Sequence, residues 1–374
     1  MKATTTTTNQ TPTVKTVAAL QSVANAAKVS GNYLRILGRS GAGKTTIAAD
    51  LAPCLGINAD RVSVVNFAGS LPSQVIGQLM PDAASRESWR TKPIDLPLRE
   101  RVGDDPFLLI LDEFASWDQS IQCLFHGLKS PDGMPRVGSH ELPPKLFVIL
   151  TGNRKEDAAA SNTGKAPIVG RSLTVEWLPT VKSWRDHEGS AAAASPIAAF
   201  LSYCGKAGSD VADFFCPSPP KPWRGEPYPQ PREWSGLIKA EASADWPADP
   251  ALQNLVIASA VGQSASDACT AFLSLAKKIL PLMESILIGE APLPNGPQDR
   301  YAIAHCAIRR AIDMAGNDPA AAVAGGKLDT LIDRILLPLD PEMRSWSFNA
   351  AKAAGIPLEL HPSQAKLQNL NLNL

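Results

Sequence analysis

The segment that most restricts the fold is residues 38–45 (GRSGAGKT), which match the pattern G-x-x-x-x-G-K-[ST]. Residues 32–37 (NYLRIL) before it predict a strand, and helical residues continue after it from Lys44 to about Cys54. Glycines let a backbone wrap closely around phosphate oxygens and aim several N–H groups at them. A helix that follows points its positive end at the same anion. The sequence therefore predicts a phosphate-binding loop between a strand and a helix, which requires an α/β fold.

The residue types of this loop also predict what it binds. Lys44 is expected to reach the β- and γ-phosphates of a nucleotide, and the Thr45 hydroxyl is expected to ligate Mg²⁺. We therefore predict ATP and Mg²⁺ as cofactors. GTP in place of ATP is an alternative, because no residue pattern in the sequence indicates which base is recognised. The residues predicted to contact the nucleotide are Gly38, Arg39, Ser40, Gly41, Ala42, Gly43, Lys44, Thr45 and Thr46.

Apolar runs along residues 30–180 predict a parallel sheet. Residues 107–111 (FLLIL) are apolar without alternation, which is typical of a parallel strand buried on both faces. Helical patterns, such as that at residues 17–28, separate the apolar runs, and strands alternating with helices indicate one α/β sheet. The predicted strands are residues 32–37, 61–67, 107–111, 146–150 and 173–177.

A helix is predicted over residues 117–128, after the third of these strands. Five apolar side chains recur there on one helical face, and Ser116-x-x-Gln119 offers a capping box at its start. We expect this apolar face to lie in the core. Its residues are Trp117, Ile121, Leu124, Phe125 and Leu128.

The sequence divides into four segments. Residues 1–16 are a threonine-rich tail that we expect to be disordered, and residues 17–195 form the predicted α/β nucleotide-binding core. Residues 196–290 are predicted to be a helical lid that includes the proline-rich linker 217–231. Residues 291–374 are predicted to be a C-terminal helical segment and tail.

Composition and charge narrow the class of protein. The chain is 44% hydrophobic and 19% charged, which is typical of globular proteins. Its 36 Lys and Arg balance its 36 Asp and Glu, so no overall field draws it to nucleic acid or to an anionic membrane. The six cysteines lie far apart, as in a reduced protein, and we find neither a secretory signal nor a run of about 18 apolar residues. We expect a cytoplasmic protein without a membrane-spanning segment.

An acidic pair, Asp112-Glu113, directly follows the strand at residues 107–111. At the carboxyl end of a buried strand beside a phosphate loop, Asp112 can hold Mg²⁺ indirectly. It can do so through a bound water molecule or by contacting the groups that ligate the ion. Glu113 is then free to polarise the attacking water. An acidic pair can also simply end a strand and cap the next helix, but the phosphate loop earlier in the chain favours the metal and catalytic roles.

Three further polar residues are candidates for the same site. Asn153 follows the next apolar strand in the segment Thr-Gly-Asn, where its amide can lie between Asp112 and the γ-phosphate and hold the water in line. Gly-Asn is also a common turn pair. Arg171 precedes the strand at 173–177, and Arg232 lies in the sequence PQPREW at the end of the linker. Taken alone, either arginine could be an ordinary surface residue.

The order of these features resembles that of AAA+ ATPases, and more narrowly the sequence is similar to their MoxR-like branch. The resemblance is carried by GRSGAGKT, LLILDEF, LTGNRKED, APIVGRS before a strand, and PQPREW, and it extends over about residues 32–240. It implies a P-loop NTPase αβα core with a parallel sheet and a helical lid, followed here by C-terminal helices.

The resemblance also implies a role for each candidate residue. Asn153 would sense the γ-phosphate, and Arg232 would be a second sensor on the helical lid. Arg171 would be an arginine finger inserted into the neighbouring subunit's nucleotide site, with Arg154 as a competing candidate. A trans-acting arginine can be worth about 10³–10⁵ in rate and couples hydrolysis to assembly. Head-to-tail contacts of that kind close into rings, which this family usually forms as hexamers.

The function that the resemblance implies is ATP hydrolysis that remodels or activates a partner protein, in the manner of a chaperone. The family commonly works with a von Willebrand A-domain partner, and the protein substrate is unknown from the sequence. Two other functions stay open. The balanced charge argues against a nucleic-acid-dependent translocase or restriction-type motor. The Asp112-Glu113 pair argues against a nucleotide-gated scaffold with negligible turnover, because a site that does not hydrolyse has no need for Glu113.

Overall fold

The computed structural model describes residues 11–81, 88–93, 95–130, 132–154, 167–189, 191–192, 195–204, 213–217, 225–294, 296–315 and 328–339, with single positions or pairs elsewhere up to Ile356. Residues 1–10 of the predicted tail, 218–224 of the linker and 357–374 lie outside the described residues. The chain forms two compact units, Met1–Pro179 and Thr180–Leu374, and each is described by itself. The predicted core, residues 17–195, reaches into the second unit, and the predicted lid and C-terminal segment stay predictions.

The first unit is built around a parallel sheet. Its strands, with those of two hairpins, are β1 (Thr13–Val14), β2 (Tyr33–Gly38), β3 (Val62–Val65), β4 (Leu79–Pro81), β5 (Ser88–Arg90), β6 (Phe107–Leu111), β7 (Arg136–Val137), β8 (His140–Glu141), β9 (Leu146–Asn153) and β10 (Ser172–Trp177). The six-stranded sheet has the order β1-β10-β2-β9-β6-β3, and each neighbouring pair in it is parallel. β4 with β5 and β7 with β8 form the antiparallel hairpins. The predicted α/β class with a parallel sheet is confirmed.

Helices and short 3₁₀ turns connect these strands. The helices are α1 (Val17–Val29), α2 (Lys44–Asp50), α3 (Pro72–Ile76), α4 (Arg99–Val102), α5 (Gln119–Leu124) and α6 (Pro167–Gly170). The 3₁₀ turns are Pro53–Leu55, Ala59–Arg61, Phe114–Ser116 and Phe125–Lys129.

The side chains of β6 alternate between two hydrophobic cores. Leu108 and Ile110 pack with the buried residues of α1 and α2, whereas Leu109 and Leu111 pack with those of α3 and α5. Successive side chains of a strand point to opposite faces, so each face of the sheet needs its own helical cover. Helices on both faces therefore explain why the FLLIL run is apolar without alternation.

The structure differs from the sequence-based expectation at the predicted disordered tail. Thr13–Val14 forms β1, which pairs in parallel with Glu176 and Trp177 of β10, and Val14 is buried. Thr16 caps α1 by accepting a hydrogen bond from Ala19 N. The end of the tail is ordered because β10 offers it a free edge for pairing.

The predicted capping box at Ser116 is wrong. Ser116 closes a 3₁₀ turn, in which its Oγ donates to Glu113 O at 2.7 Å, and α5 begins only at Gln119 with Asp118 as its N-cap residue, so Ser116 lies outside the capping position. In place of the predicted helix 117–128, the chain forms α5 and the turn Phe125–Lys129, and the turn Phe114–Ser116 precedes them. The apolar face is nevertheless core, as predicted. Trp117, Ile121, Phe125 and Leu128 are buried, and Leu124 packs partly buried against them.

The described part of the second unit is helical. Its helices are α7 (Val181–Glu188), α8 (Pro196–Cys204), α9 (Pro231–Glu241), α10 (Pro250–Val261), α11 (Gln263–Ile279), α12 (Met283–Ile288), α13 (Pro297–Ala315) and α14 (Asp329–Leu331), with a 3₁₀ turn Leu280–Leu282 and a π-helical turn Ile332–Leu336. Phe200, Trp234 and Phe272 are fully buried and join α8, α9 and α11, with ring centroids 5.9–6.1 Å from that of Phe200. Within the described residues, no helix combines the length and apolar character needed to cross a bilayer.

Phe125 offers a test of the packing in the first unit. It is fully buried, and its ring centroid lies 5.3 Å from that of Trp117 and 6.1 Å from that of Phe67. We expect Phe125→Ala to lower the free energy of unfolding by about 3–5 kcal/mol, because the lost ring leaves a cavity in the core. Urea denaturation followed by circular dichroism measures this change.

The matched control is Val29→Ala, which also shortens an apolar side chain but at a residue that is 90% exposed. We expect that substitution to change the free energy of unfolding by less than about 0.5 kcal/mol. A loss for Phe125→Ala no larger than that for Val29→Ala would contradict the packing described.

Candidate functional site

Three neighbouring strands end together at one edge of the sheet. β9 lies between β2 and β6, and the register pairs Gly38 with Asn153 and Leu111 with Leu150. The phosphate loop starts at Gly38, and the acidic pair directly follows Leu111. Because the strands are parallel, their carboxyl ends share an edge, where ligands of α/β proteins bind. The structure thus places Asn153 between the phosphate loop and the acidic pair.

Glycines and one tryptophan determine the shape of the phosphate loop. Gly41 and Gly43 have φ values of 68° and 73°, a left-handed backbone that glycine adopts without steric cost. A side chain at Gly38 would begin 2.7 Å from Trp177 O, so this position also requires glycine. Trp177 Nε1 donates to Ala42 O at 3.0 Å and ties the loop to the end of β10. These contacts fix the conformation of the loop.

The helix after the loop has no side-chain cap at its start. Lys44, Thr45 and Thr46 form the first turn of α2, and the residue before them, Gly43, has no side chain to cap the helix. The first N–H groups of a helix have no acceptor within it, so they can bind an anion. Arg39 and Ser40 lie in the loop between Gly38 and this helix.

Lys44 is buried among oxygen atoms, with only 6% of its surface exposed. Its Nζ donates to Arg39 O at 2.9 Å, to Gly38 O at 3.3 Å and to Asn153 Oδ1 at 2.8 Å. An ammonium has three N–H donors and is costly to bury unless they are used. The loop carbonyls and Asn153 therefore hold a positive charge at the edge of the sheet.

Asp112 and two threonines form a hydrogen-bonded group. Asp112 Oδ1 accepts from Thr45 Oγ1 at 2.5 Å and from Thr151 Oγ1 at 2.6 Å. Thr151 Oγ1 in turn accepts from Glu113 N at 3.2 Å. Trp117 Nε1 donates to Asp112 O at 3.0 Å. These bonds join the start of α2 to the ends of β6 and β9 and orient the Asp112 carboxylate.

Glu113 has a left-handed backbone, with φ 52° and ψ 34°. Outside glycine, this conformation costs on the order of 1–3 kcal/mol and persists only where the surrounding structure enforces it. Glu113 Oε2 accepts a hydrogen bond from Asn153 Nδ2 at 3.0 Å. Glu113, the residue with the strained backbone, and Lys44 are therefore both bonded to the amide of Asn153.

The oxygen atoms at this edge fit a magnesium nucleotide. Mg²⁺ in nucleotide sites takes one or two protein oxygens and completes its octahedron with water and phosphate oxygens. The Thr45 hydroxyl and the Asp112 carboxylate are adjacent and supply such oxygens. No group of three or more His, Cys, Asp or Glu side chains within the described residues could hold a metal by itself. The phosphates of a bound nucleotide would complete the coordination of a Mg²⁺ ion here.

The two candidates for the arginine finger lie at opposite edges of the sheet. Arg171 precedes β10, whose first residue Ser172 is level with Tyr33 of β2. At roughly 3.3 Å per residue, Arg171 is about 20 Å from the loop at the other end of β2, beyond the reach of its side chain. Arg154 follows β9 at the edge of the loop, where its Nη1 donates to Glu176 Oε1 at 2.8 Å in a largely buried ion pair.

Arg232 belongs to the second unit. It is the second residue of α9, and its side chain is 67% exposed, with Nε 3.6 Å from Glu233 Oε1. An exposed ion pair of this kind contributes little to stability. The role of Arg232 as a second sensor stays a prediction.

Two residues of the site have contacts that the sequence analysis missed. Thr151 bridges Asp112 and the backbone of Glu113, and Trp177 anchors the phosphate loop. The sequence does show a polar residue, Thr151, at the end of an apolar strand. Linking it to Asp112 requires the strand order, because β6 and β9 are neighbours only in the folded sheet.

The sequence matches no protein-family model and no curated protein sequence. Among solved structures, the fold is similar to a protein from Cytophaga hutchinsonii assigned as an ATPase (17% identity over 44% of this chain and 46% of that chain, TM-score 0.29). It is also similar to ADP-bound NtrX from Brucella abortus (15% identity over 84% of this chain and 68% of that chain, TM-score 0.38). A third similar structure is Hsp104 with ATPγS and casein (18% identity over 47% of this chain and 35% of that chain, TM-score 0.31).

The chain thus spans about half the length of the Cytophaga protein, at 46%. With identities of 15–18% and TM-scores of 0.29–0.38, these likenesses carry no functional argument. The function inferred below rests on the geometry of the site.

Two substitutions at one position test the strain at Glu113. Glu113→Ala and Glu113→Gly both remove the carboxylate and its bond from Asn153, but only glycine relieves the left-handed backbone. We expect the free energy of unfolding of the glycine variant to be about 1 kcal/mol higher than that of the alanine variant. Chemical denaturation of the two variants side by side measures the difference.

The control is the same pair of substitutions at Asn25, an exposed residue in the middle of α1. There the order should reverse, with alanine more stable than glycine by about 1 kcal/mol. Equal free energies of unfolding for Glu113→Ala and Glu113→Gly would contradict the backbone strain inferred at Glu113.

Proposed function

We propose that this protein binds ATP with Mg²⁺ and hydrolyses it. One observation carries the proposal: the Asn153 amide accepts from Lys44 Nζ at 2.8 Å and donates to Glu113 Oε2 at 3.0 Å. A phosphate-binding lysine and a carboxylate that can serve as a base are thereby held on the two sides of one amide. This arrangement suits the positioning of a water molecule in line with a terminal phosphate.

Each polar residue at the sheet edge has its own task in this proposal. Lys44 and the N–H groups of the loop bind phosphate oxygens, while Thr45 and Asp112 hold Mg²⁺. Bound Mg²⁺ supplies charge neutralisation at the phosphate oxygens. Glu113 accepts a proton from the attacking water, and the Asn153 amide orients that water beside it.

The placement of the arginines supports a site completed by a second copy of the chain. Arg171 is exposed and lies about 20 Å from its own loop at roughly 3.3 Å per residue, so it cannot reach a phosphate bound in that loop, and as a finger it would have to act on another subunit. Arg154 is held by Glu176 beside its own loop, which makes it the weaker candidate for a finger. We therefore propose that Arg171 acts in trans in a ring, which by the family resemblance is a hexamer.

The wider role rests on the sequence resemblance to AAA+ ATPases of the MoxR-like branch. Hydrolysis in such a ring would drive relative motion of its parts and remodel or activate a partner protein. A von Willebrand A-domain protein is the kind of partner that the resemblance suggests. Arg232 is proposed as a second phosphate sensor on the same basis.

Substitutions of Lys44 and Glu113 separate binding from turnover. We expect Lys44→Ala to lose nucleotide binding, because the loop then lacks its cation. Glu113→Gln should bind ATP with wild-type affinity but lose at least about 10²-fold in turnover, because an amide cannot accept the proton of the water. Isothermal titration with ATP and GTP measures binding, and phosphate release measures turnover.

Retained turnover in Glu113→Gln would contradict the assignment of the base. Binding without turnover by the wild-type chain at every concentration would instead favour a nucleotide-gated scaffold. Salt-sensitive stimulation of turnover by DNA would favour a nucleic-acid motor.

A concentration series tests whether the site is completed between subunits. We expect the rate per protomer to rise steeply with protein concentration, and Arg171→Ala to bind ATP but lose about 10³-fold or more in rate. Arg154→Ala is the matched comparison and should keep most of the rate. A flat rate together with a fully active Arg171→Ala protein would contradict a finger at Arg171.

A further inference from the structure

A second cation lies close to Arg171 at the amino-terminal edge of the sheet. Lys129 ends the 3₁₀ turn Phe125–Lys129, and its Nζ lies 5.2 Å from the ring centroid of Tyr33 and 3.4 Å from Asn32 Oδ1. The backbone N–H of Tyr33 donates to Arg171 O at 3.0 Å. Residues from three separate segments thus form one group, which we call the basic edge cluster (Tyr33, Lys129 and Arg171).

The two cations of the basic edge cluster lack a counter-ion among the residues that the structure describes. Among the described residues, neither Lys129 nor Arg171 takes part in an ion pair. Burial lowers the pKa of the Lys129 ammonium, and the nearby charge of Arg171 lowers it further. Like charges brought together repel each other, so this pairing costs stability in the isolated chain.

Tyr33 adds an unused polar group to the same place. Its side chain is buried, with 6% of the residue exposed, and its hydroxyl has no hydrogen-bond partner among the described residues. Burial raises the pKa of the Tyr33 phenol, so it stays protonated and can donate. A buried hydroxyl without a partner is unusual in folded proteins and calls for an explanation.

We propose that Lys129 is a second trans-acting cation, which together with Arg171 binds the terminal phosphate of the nucleotide held by a second copy of the chain. The inference rests on the trans arrangement proposed above and adds a residue to it. A terminal phosphate carries more than one negative charge, so it can engage a bidentate guanidinium and an ammonium at the same time. Asn32 and Tyr33 position the ammonium, because they contact it directly.

The anion also explains why the like charges are tolerated. Two cations that repel in the free chain are both stabilised once a phosphate lies between them, which strengthens binding to the neighbouring site. The alternative is that a carboxylate of the neighbouring copy binds the basic edge cluster. Such an ion pair would support assembly without contributing to hydrolysis.

The test mixes two variants that are each impaired in turnover. Lys129→Ala keeps an intact nucleotide loop and Glu113, while Glu113→Gln keeps the basic edge cluster but cannot turn over. We expect Lys129→Ala alone to lose about tenfold or more in rate, the size expected for one charge-assisted contact to the reacting phosphate. Adding excess Glu113→Gln should restore the rate per Lys129→Ala subunit, because its sites then receive Lys129 from a neighbour.

The controls fix the interpretation. Lys145→Ala removes an exposed lysine one residue before β9 at the same edge and should keep the full rate. Lys129→Arg keeps a cation and should keep most of the rate. Arg171→Ala mixed with Glu113→Gln reports on the trans arrangement itself. Lys129→Gln replaces Lys129→Ala should the alanine variant fail to fold.

The outcomes separate the two proposals. Full activity of Lys129→Ala, or rescue of Arg171→Ala without rescue of Lys129→Ala, would overturn the role of Lys129 and leave the proposed function standing. Loss of assembly in sedimentation velocity without rescue would likewise overturn it and indicate an interface ion pair. A wild-type chain without turnover would contradict the proposed function alone. In that case, nucleotide-driven self-association would test the role of Lys129. The proposal predicts that Lys129→Ala self-associates more weakly than Lys145→Ala, and equal association of the two variants would contradict it.

Discussion

The amide of Asn153 holds the candidate site together, because it is bonded to a cation through its oxygen and to a carboxylate through its nitrogen. An amide is neutral and offers both a donor and an acceptor. In direct contact, Lys44 and Glu113 would form an ion pair, and neither would be free for a ligand. The interposed amide keeps the two charges apart and fixed, and it depends on β9 lying between β2 and β6.

The elements of the sheet could be predicted because their signals are local. The apolar run at Phe107–Leu111 and the glycine pattern after β2 each identify an element without reference to the rest of the chain. The strand Thr13–Val14 was missed because it exists only through pairing with β10, far along the chain. The capping box at Ser116 was wrong because the turn after the acidic pair delays the start of α5 to Gln119, which leaves Asp118 at the N-cap position.

The residue types of the candidate site were also predictable, but their contacts were not. Motif spacing singled out Lys44, Asp112 and Glu113, whereas the bridge from Thr151 to Asp112 follows from strand order and register. The left-handed backbone of Glu113 has no signal in the sequence, because glutamate has no preference for it. It results from the bonds that hold both ends of this turn.

The two edges of the sheet differ in chemistry. At one edge the oxygen atoms of Thr45, Asp112 and Glu113 lie near the buried Lys44, and the other edge carries the cations Lys129 and Arg171. In a head-to-tail arrangement, the cationic edge of one copy would meet the nucleotide-binding edge of the next, so each contact would use two different surfaces. An open row of copies joined head to tail would leave the site of its last copy unfinished. Every copy gains a finished site only when the chain of contacts returns to its starting point.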